Sequence, residues 1–305
     1  MKQNSISLRD VSSLRIAIIG GAGQMGAWFV KYFTSLGFPT YLADVRLADA
    51  AKVAKETGAI FSETNRGAIE GVDIVLVCVP IRQITDVVKE VAPHMKVGAV
   101  LAEVSSIKGS IVDTLGEVSR LGVKPLSIHP LFGPSATTLN GKTIVVVPVV
   151  DEEKEKDITR HLFGEADIMI SGVEEHDRAM AVVLSLTYFA NLVFAKVLNE
   201  EDLLLFKRLA GTTFTLQLAL IESVVNEELD LIEPLMRENK LTWAYVEKYV
   251  DDAKEMRRLI RDDVDGFLEV CNSLKISMGR DPDFQSADEW RYRAFEALRE
   301  ARARS

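Results

Sequence analysis

The sequence predicts a doubly wound parallel α/β sheet followed by an all-α domain. Short apolar runs rich in β-branched residues alternate with helical patterns in the first half, namely RIAIIG, PTYLAD, DIVLVCVP, AVLAEVS, PLSIHP and TIVVVPVV. Continuous apolar runs of this kind are typical of parallel strands that helices cover on both faces. After residue 172 the strand patterns stop, and long helical patterns take their place.

The 305 residues are enough for two domains, since compact domains usually hold roughly 100 to 200 residues. We predict a flexible tail over residues 1–14, a first domain over 15–172 and a helical domain over 173–305. The charge run DEEKEKDITR is expected to be the solvated face of a helix before one more strand, ADIMISG. Helical segments such as Phe214 to Val225 are apolar on more than one side, which predicts a homodimer through the helical domain.

Composition and charge narrow the class of partner. The formal net charge of −9 disfavours nucleic acid, which requires a concentrated basic surface, and a small anionic substrate would need local positive charge. The first residues lack the apolar core of a signal peptide, and no stretch reaches the roughly 18 uninterrupted apolar residues of a membrane span. Two distant cysteines, Cys78 and Cys271, predict reduced thiols. We therefore expect a cytoplasmic protein with no membrane partner and no metal site.

A glycine motif follows the first strand pattern and opens the first helix pattern. In G-x-G-x-x-G the first glycine permits a tight turn, the second admits a pyrophosphate, and the third lets the helix pack on the strand. Asp44 ends the second strand, where a carboxylate accepts hydrogen bonds from the adenosine ribose and repels a 2′-phosphate. NAD is therefore predicted, although Arg46, two residues later, keeps NADP open. The predicted cofactor contacts are Gly21, Gly23, Gln24, Met25, Gly26, Asp44, Val79 and Pro80.

Polar side chains follow two further strand patterns. In doubly wound sheets ligands bind beyond the carboxyl ends of the strands. Ser106 and Lys108 come after AVLAEV, and His129 comes after PLSI. A serine alone would be a helix cap, and a lone histidine is more often structural. Together, however, a hydroxyl that orients a substrate, an ammonium that holds a carboxylate and a histidine that accepts a proton predict a hydride-transfer site.

At these residues the chain resembles the prephenate dehydrogenase family. The motifs GGAGQMG, EVSSIKG, HPLFGP and VEEHDRAM occur in this order, and the resemblance is good from Arg15 to Phe189 and loose thereafter. It implies a Rossmann-type domain and a helical dimerisation domain. It also implies NAD-dependent oxidative decarboxylation of prephenate to 4-hydroxyphenylpyruvate in tyrosine biosynthesis. His129 would then accept the hydrogen bond of the substrate hydroxyl as the catalytic residue, Ser106 would orient that pair, and Lys108 would contact a substrate anion.

Further substrate contacts are predicted in the VEEHDRAM motif and in the helical half. His176 is either a substrate contact or part of a cluster that caps the start of a helix. The family carries an arginine for a substrate carboxylate in an early helix of the helical domain, but the corresponding stretch, GTTFTLQLAL, contains none. Thr215 occupies that place. Arg208 and the adjacent Lys207, about two turns before Thr215, offer a basic substitute, unless both are solvated surface charges.

The missing arginine leaves the substrate open. Arogenate or another prephenate-like cyclohexadienol is the first alternative. The β-hydroxyacid dehydrogenase group is a second, because it uses a lysine in its helical half and Lys196 is available, although HPLFGP argues against it. A non-catalytic dinucleotide-binding sensor is a third, and the intact Ser106, Lys108 and His129 argue against that hypothesis.

Overall fold

The computed structural model describes residues 14–304, which form two compact units. The first unit ends at Met180 and the second begins at Ala181. The first compact unit includes the helix Val173–Met180. The domain boundary predicted after residue 172 stays a prediction. The predicted flexible tail lies outside the described residues, apart from Leu14.

The described part of the first unit contains one eight-stranded sheet. The strand order is β3-β2-β1-β4-β5-β6-β7-β8, in which the first six positions follow the order of a dinucleotide-binding doubly wound sheet. The pairs from β3 to β6 are all parallel, so the carboxyl ends of β1, β4, β5 and β6 meet at one edge. The strands are β1 Ile16–Ile19, β2 Thr40–Ala43, β3 Ile60–Phe61, β4 Ile74–Val77, β5 Val100–Glu103, β6 Lys124–Pro130, β7 Thr143–Val146 and β8 Asp167–Ile170.

Helices cover both faces of this sheet, as predicted. In β1, Ile16 and Ile18 belong to one buried cluster and Ala17 and Ile19 to another, because alternate residues of a strand point to opposite faces. The charge run forms a helix that Asp151 caps by accepting from the Lys154 backbone N–H, as expected. The helices are α1 Gln24–Ser35, α2 Leu47–Thr57, α3 Asn65–Ile69, α4 Ile81–Val91, α5 Gly109–Ser119, α6 Glu152–Leu162 and α7 Val173–Met180.

The sheet departs from the predicted pattern in two places. Strand β7 runs antiparallel to β6, so the sheet is mixed and not wholly parallel. No helix separates these two strands, and a parallel pair usually needs a helical crossover, so a direct loop connection favours the antiparallel pair. Strand β3 has two residues, which is too short for a hydrophobic pattern to reveal.

The described part of the second unit is helical throughout, as the sequence predicts. Its buried apolar residues include Leu218, Ile221, Leu235, Val246 and Leu259. A π-helix, Ala181–Leu186, opens the unit. The helices that follow are α8 Thr187–Leu198, α9 Leu203–Leu209, α10 Thr212–Val225, α11 Leu229–Arg237, α12 Thr242–Asp262, α13 Val264–Met278 and α14 Ala287–Arg304.

Several large apolar side chains of the helical unit are exposed, among them Val183, Val193, Phe194 and Val197. Among residues 14–304, the helical run Val173–Leu198 is long and apolar enough to cross a membrane by length and composition alone, and 17% of its most apolar window is buried. A core or interface helix of a soluble protein passes the same test. This helical run therefore presents an exposed apolar surface, and its length and composition do not identify what covers that surface.

Candidate active site

The glycine loop connects β1 to α1 at the carboxyl edge of the sheet. Gly20 carries the left-handed conformation of the turn, with φ of +82°, and a Cβ there would lie 2.5 Å from the carbonyl oxygen of Cys78. A Cβ on Gly26 would lie 2.0 Å from the Gly20 carbonyl oxygen, which confirms that this glycine lets the helix approach the strand. The turn conformation predicted at Gly21 is found at Gly20, and Gly21 instead packs against Leu42.

Space and donors for a pyrophosphate remain at this loop. Helix α1 begins at Gln24, so its first backbone N–H groups, those of Gln24, Met25 and Gly26, lack acceptors within the helix. A Cβ on Gly23 would lie 3.3 Å from the Gly20 carbonyl oxygen, which is a tight contact, so this position favours a bare backbone of the kind that a pyrophosphate can approach. These features fit a dinucleotide on the predicted residues.

Asp44 ties the end of β2 to the glycine loop. Its Oδ2 accepts from the Ala22 N–H at 3.0 Å, and its Oδ1 accepts from the Arg46 N–H at 2.9 Å. The Arg46 Nε lies 3.4 Å from Asp44 Oδ1 and 3.9 Å from Asp49 Oδ2. The arginine that left NADP open is thus already placed between two carboxylates.

The two remaining predicted cofactor contacts follow β4. The Cys78 N–H donates to the Ile19 carbonyl at 2.7 Å, so the exit of β4 lies against the exit of β1. Val79 and Pro80 are half-buried, and Pro80 immediately precedes helix α4. The chain after β4 therefore runs along the same edge as the glycine loop.

His129 lies in β6 at this edge and begins a chain of three polar side chains. Its Nδ1 is 2.9 Å from Nε2 of His176, and the Nδ1 of His176 is 2.8 Å from Oδ1 of Asp177. His129 and His176 are 5% and 2% exposed. We call His129, His176 and Asp177 the histidine chain.

The carboxylate of Asp177 fixes the direction of the histidine chain. It accepts from the backbone N–H groups of Lys108 and Gly109, both at 2.9 Å, at the start of α5. Burial raises the pKa of Asp177, but the hydrogen bonds from His176, Lys108 and Gly109 outweigh it and hold that pKa below its ordinary value. An ionised carboxylate only accepts, so His176 Nδ1 carries a hydrogen.

When neither imidazole carries an extra proton, the hydrogen on His176 Nδ1 decides where the remaining hydrogens lie. His176 Nε2 is then an acceptor, so the hydrogen between the rings belongs to His129 Nδ1. His129 Nε2 is left with a lone pair, and no residue between 14 and 304 hydrogen-bonds to it. Burial, the positive charge of Lys108 and the neighbouring His176 lower the pKa of His129 well below its ordinary value. The arrangement therefore presents a neutral histidine with one acceptor nitrogen available.

Lys108 also belongs to a second group of buried polar side chains. Lys108 Nζ donates to Glu103 Oε1 and to the Ile128 carbonyl, both at 2.6 Å, and the Ser127 hydroxyl donates to the same Glu103 oxygen. The three residues that contribute side chains, Glu103, Lys108 and Ser127, are each 0% exposed. Burial lowers the pKa of Lys108, and Glu103 opposes that shift. We call Glu103, Lys108 and Ser127 the ion-pair cluster.

These contacts correct two predicted roles. Lys108 was expected to contact a substrate anion, but its ammonium is buried and already bound to Glu103 and a carbonyl. His176 was expected to contact substrate or to cap a helix, but its two ring nitrogens face His129 and Asp177. Both side chains therefore support His129 from within the protein.

Ser106 is half-buried, and no hydrogen bond joins its hydroxyl to any of the described residues. The neighbouring Ser105 is the one that stabilises the turn, since its hydroxyl accepts from the Ile107 N–H and donates to the Ile107 carbonyl. The prediction that Ser106 orients a substrate hydroxyl therefore remains a prediction.

Sequence reasoning missed Glu103, Ser127 and Asp177. Glu103 had a signal, because a charged residue that ends an apolar buried strand needs a buried partner. Asp177 stands next to His176 in the motif, but the pattern equally favoured a helix cap. Ser127 carried no signal, since a serine within a strand is unremarkable.

The predicted contacts of the helical unit are Thr215 and Arg208. Thr215 lies in α10, and its hydroxyl donates to the Gly211 carbonyl at 2.9 Å. Arg208 is exposed at the end of α9, and the adjacent Lys207 pairs with Glu222 at 2.6 Å. Their contact with substrate stays a prediction.

The chain was compared with protein families and with individual proteins. The nucleotide-binding domain of prephenate dehydrogenase matches residues 38–163, and the dimerisation domain of prephenate dehydrogenase matches residues 172–273. A protein of Methanocaldococcus jannaschii named "Probable arogenate/prephenate dehydrogenase" is 29% identical over 278 residues, which are 88% of this chain and 62% of that protein. The chain thus spans less than two thirds of the length of this relative.

Two further matches are more distant or shorter. A 4-amino-4-deoxyprephenate dehydrogenase of Streptomyces pristinaespiralis is 28% identical over 61% of this chain and 64% of its own length. The crystal structure of prephenate dehydrogenase from A. aeolicus with hydroxyphenyl propionate and NAD+ has a TM-score of 0.71. It is 19% identical and covers 90% of this chain and 99% of that one, which shows a shared fold. With both domain models matched in order, the chain belongs to the prephenate dehydrogenase family.

Proposed function

We propose that this protein catalyses the NAD-dependent oxidative decarboxylation of prephenate to 4-hydroxyphenylpyruvate, a reaction of tyrosine biosynthesis. The observation that carries the proposal is the buried neutral His129, whose Nε2 is unpaired among the described residues and lies at the same sheet edge as the glycine loop. Membership of the family and the names of the relatives support the substrate class.

His129 accounts for the proton part of this reaction. Its Nε2 accepts the hydrogen of the substrate hydroxyl, and Ser106 donates to or accepts from the same hydroxyl. NAD, when bound, supplies the acceptor for the hydride that leaves the ring carbon bearing that hydroxyl. The bond to the ring carboxylate breaks, carbon dioxide leaves, and its electron pair completes the aromatic ring. Because the overall equation releases no proton, His129 returns the hydrogen to the phenolic oxygen.

The cofactor is assigned to NAD on the basis of Asp44 and Arg46. A carboxylate at the end of β2 repels a 2′-phosphate, and the Arg46 guanidinium, the group available to bind such a phosphate, lies beside Asp44 and Asp49. The NAD+ in the A. aeolicus prephenate dehydrogenase supports the same assignment. Binding that favours NADP over NAD would contradict it.

The helical unit is proposed to form a homodimer. The match of residues 172–273 to a dimerisation domain and the exposed Val183, Val193, Phe194 and Val197 support this. A monomer mass by light scattering at micromolar concentration would contradict it.

The protein is proposed to be cytoplasmic. The two cysteines, Cys78 and Cys271, are unpaired, which supports a reducing compartment.

One assay tests the activity. Purified protein is mixed with NAD and with prephenate, arogenate or 4-amino-4-deoxyprephenate, and the absorbance of the reduced nicotinamide is followed. We expect reduction with prephenate at a higher kcat/KM than with the other two. If only arogenate or only the amino analogue supports reduction, that compound replaces prephenate as the proposed substrate. NAD binding without any reduction would favour a non-catalytic sensor.

A further inference from the structure

Packing against apolar side chains could orient a single imidazole, yet the histidine chain buries two further polar side chains beside His129. His176 is 2% exposed, and the side chain of Asp177 is 14% exposed. Removing these groups from water is costly unless they are hydrogen-bonded, and their hydrogen bonds include those to one another and to the start of α5. The arrangement therefore indicates a role other than stabilising the fold.

We propose that His176 and Asp177 are positioning residues that hold His129 in the tautomer with hydrogen on Nδ1 and a lone pair on Nε2. The proposal rests on the proposed function for its catalytic consequence. The tautomer itself is a property of the protein without ligands.

Asp177 is the fixed end of this device. Two backbone N–H groups of α5 hold its carboxylate, so the oxygen that faces His176 cannot rotate away without losing both bonds. His176 Nδ1 donates to that oxygen, and in the neutral imidazole Nε2 is then the nitrogen that accepts from His129 Nδ1. A direct carboxylate would orient His129 equally well, but this carboxylate also accepts from two backbone N–H groups at the start of α5.

The chain also stabilises the charge that forms during the reaction. When the substrate hydrogen reaches His129 Nε2, the Nδ1 hydrogen stays between the two rings and the imidazolium charge faces the Asp177 carboxylate through His176. When carbon dioxide leaves, the same hydrogen returns from Nε2 to the phenolic oxygen. No hydrogen is gained or lost by the protein over the cycle.

The first test needs no substrate. The chain has four histidines, so proton and nitrogen NMR of ring-labelled protein can assign His129 and read its tautomer. We expect hydrogen on Nδ1 in the wild-type protein and on Nε2 in a substantial fraction of His176→Phe and Asp177→Asn molecules. His176→Gln keeps an acceptor at the same reach and should keep the Nδ1 hydrogen. Hydrogen on Nε2 in the wild-type protein would overturn the proposal whether or not the enzyme is active.

The second test uses whichever substrate the wild-type protein oxidises. His176→Phe should lower kcat on the order of 100-fold or more, since a positioned base contributes about 10²–10⁴-fold, and KM should change little. His176→Gln should stay within about tenfold of the wild type. A kcat of wild-type size in a folded His176→Phe protein would overturn the proposal and leave the proposed function standing.

Two control variants separate these effects from general damage. His161→Asn changes another partly buried histidine, on α6, and Asp73→Asn removes a carboxylate that accepts a backbone N–H from Arg15. Both should leave the His129 tautomer and kcat unchanged. If the wild-type protein oxidises none of the substrates, the proposed function fails, and the NMR measurement still decides the tautomer.

Discussion

The ion-pair cluster and the histidine chain occupy the same end of the sheet but differ in one respect. The cluster of Glu103, Lys108 and Ser127 is fully buried and bonds within the protein. The histidine chain is also buried, yet among the described residues it ends at a nitrogen, His129 Nε2, that has no partner. Buried polar groups with all partners internal stabilise a fold, whereas a chain with one available end can act on a ligand.

The largest effect is expected at the available end of the histidine chain. His129→Asn removes the acceptor nitrogen, so kcat with the preferred substrate should fall about 100- to 10,000-fold. NAD affinity, measured by calorimetry, should change little because the glycine loop is intact. Turnover near the wild-type value would remove His129 from the proposed reaction.

Substitutions in the ion-pair cluster should change the free energy of unfolding. Lys108→Met leaves the Glu103 carboxylate buried and uncompensated, which should lower the free energy of unfolding by about 3–5 kcal/mol in a denaturant titration. The double variant with Glu103→Gln should recover most of that loss, because no buried charge then remains. Lys96→Met, which breaks an exposed pair with Asp73, is the matched control and should cost at most about 1 kcal/mol. A cost for Lys108→Met as small as the control would show that the cluster is hydrated.

The depressed pKa of His129 makes the stability of the folded protein depend on pH. The unfolded chain takes up a proton near its ordinary pKa of about 6.5, whereas the folded chain takes it up at lower pH. Stability that His129 contributes is therefore complete above about pH 6.5 and falls by up to about 1.4 kcal/mol per pH unit below it. Unfolding measured from pH 7.5 downward should show a shallower loss in His129→Asn than in the wild type.

The same shift predicts the acid limb of the rate profile. Since the neutral ring is the active form, kcat/KM should stay high below the ordinary pKa of histidine and decline only at lower pH. A limb at or above about pH 6.5 would indicate that His129 is charged in the free enzyme.

The smallest effect is expected at Ser106. A hydroxyl that contributes one hydrogen bond to the substrate is worth about 0.5–1.5 kcal/mol, so Ser106→Ala should lower kcat/KM about 3- to 10-fold. Ser105→Ala should instead affect stability, since Ser105 bonds to the Ile107 backbone. Equal kinetic losses in both variants would indicate that the turn, and not the Ser106 hydroxyl, matters.

Much of this molecule could be read from local patterns. Apolar runs predicted every strand except β3, and the glycine motif predicted a tight strand-to-helix connection, because both depend on residues adjacent in sequence. The rule that ligands lie beyond strand ends was enough to select Ser106, Lys108 and His129. The left-handed turn at Gly20 was missed, since the motif alone does not say which of two adjacent glycines adopts it.

What the sequence by itself determined, then, is the α/β domain followed by a helical domain, the nucleotide loop and the family. Only the tertiary structure decided the roles of the polar residues. Lys108 turns inward because Glu103 is buried in the adjacent strand, and His176 meets His129 across 47 residues of sequence. The physical reason is that a side chain's role depends on its partners in space and on its burial, and periodicity along the chain contains neither.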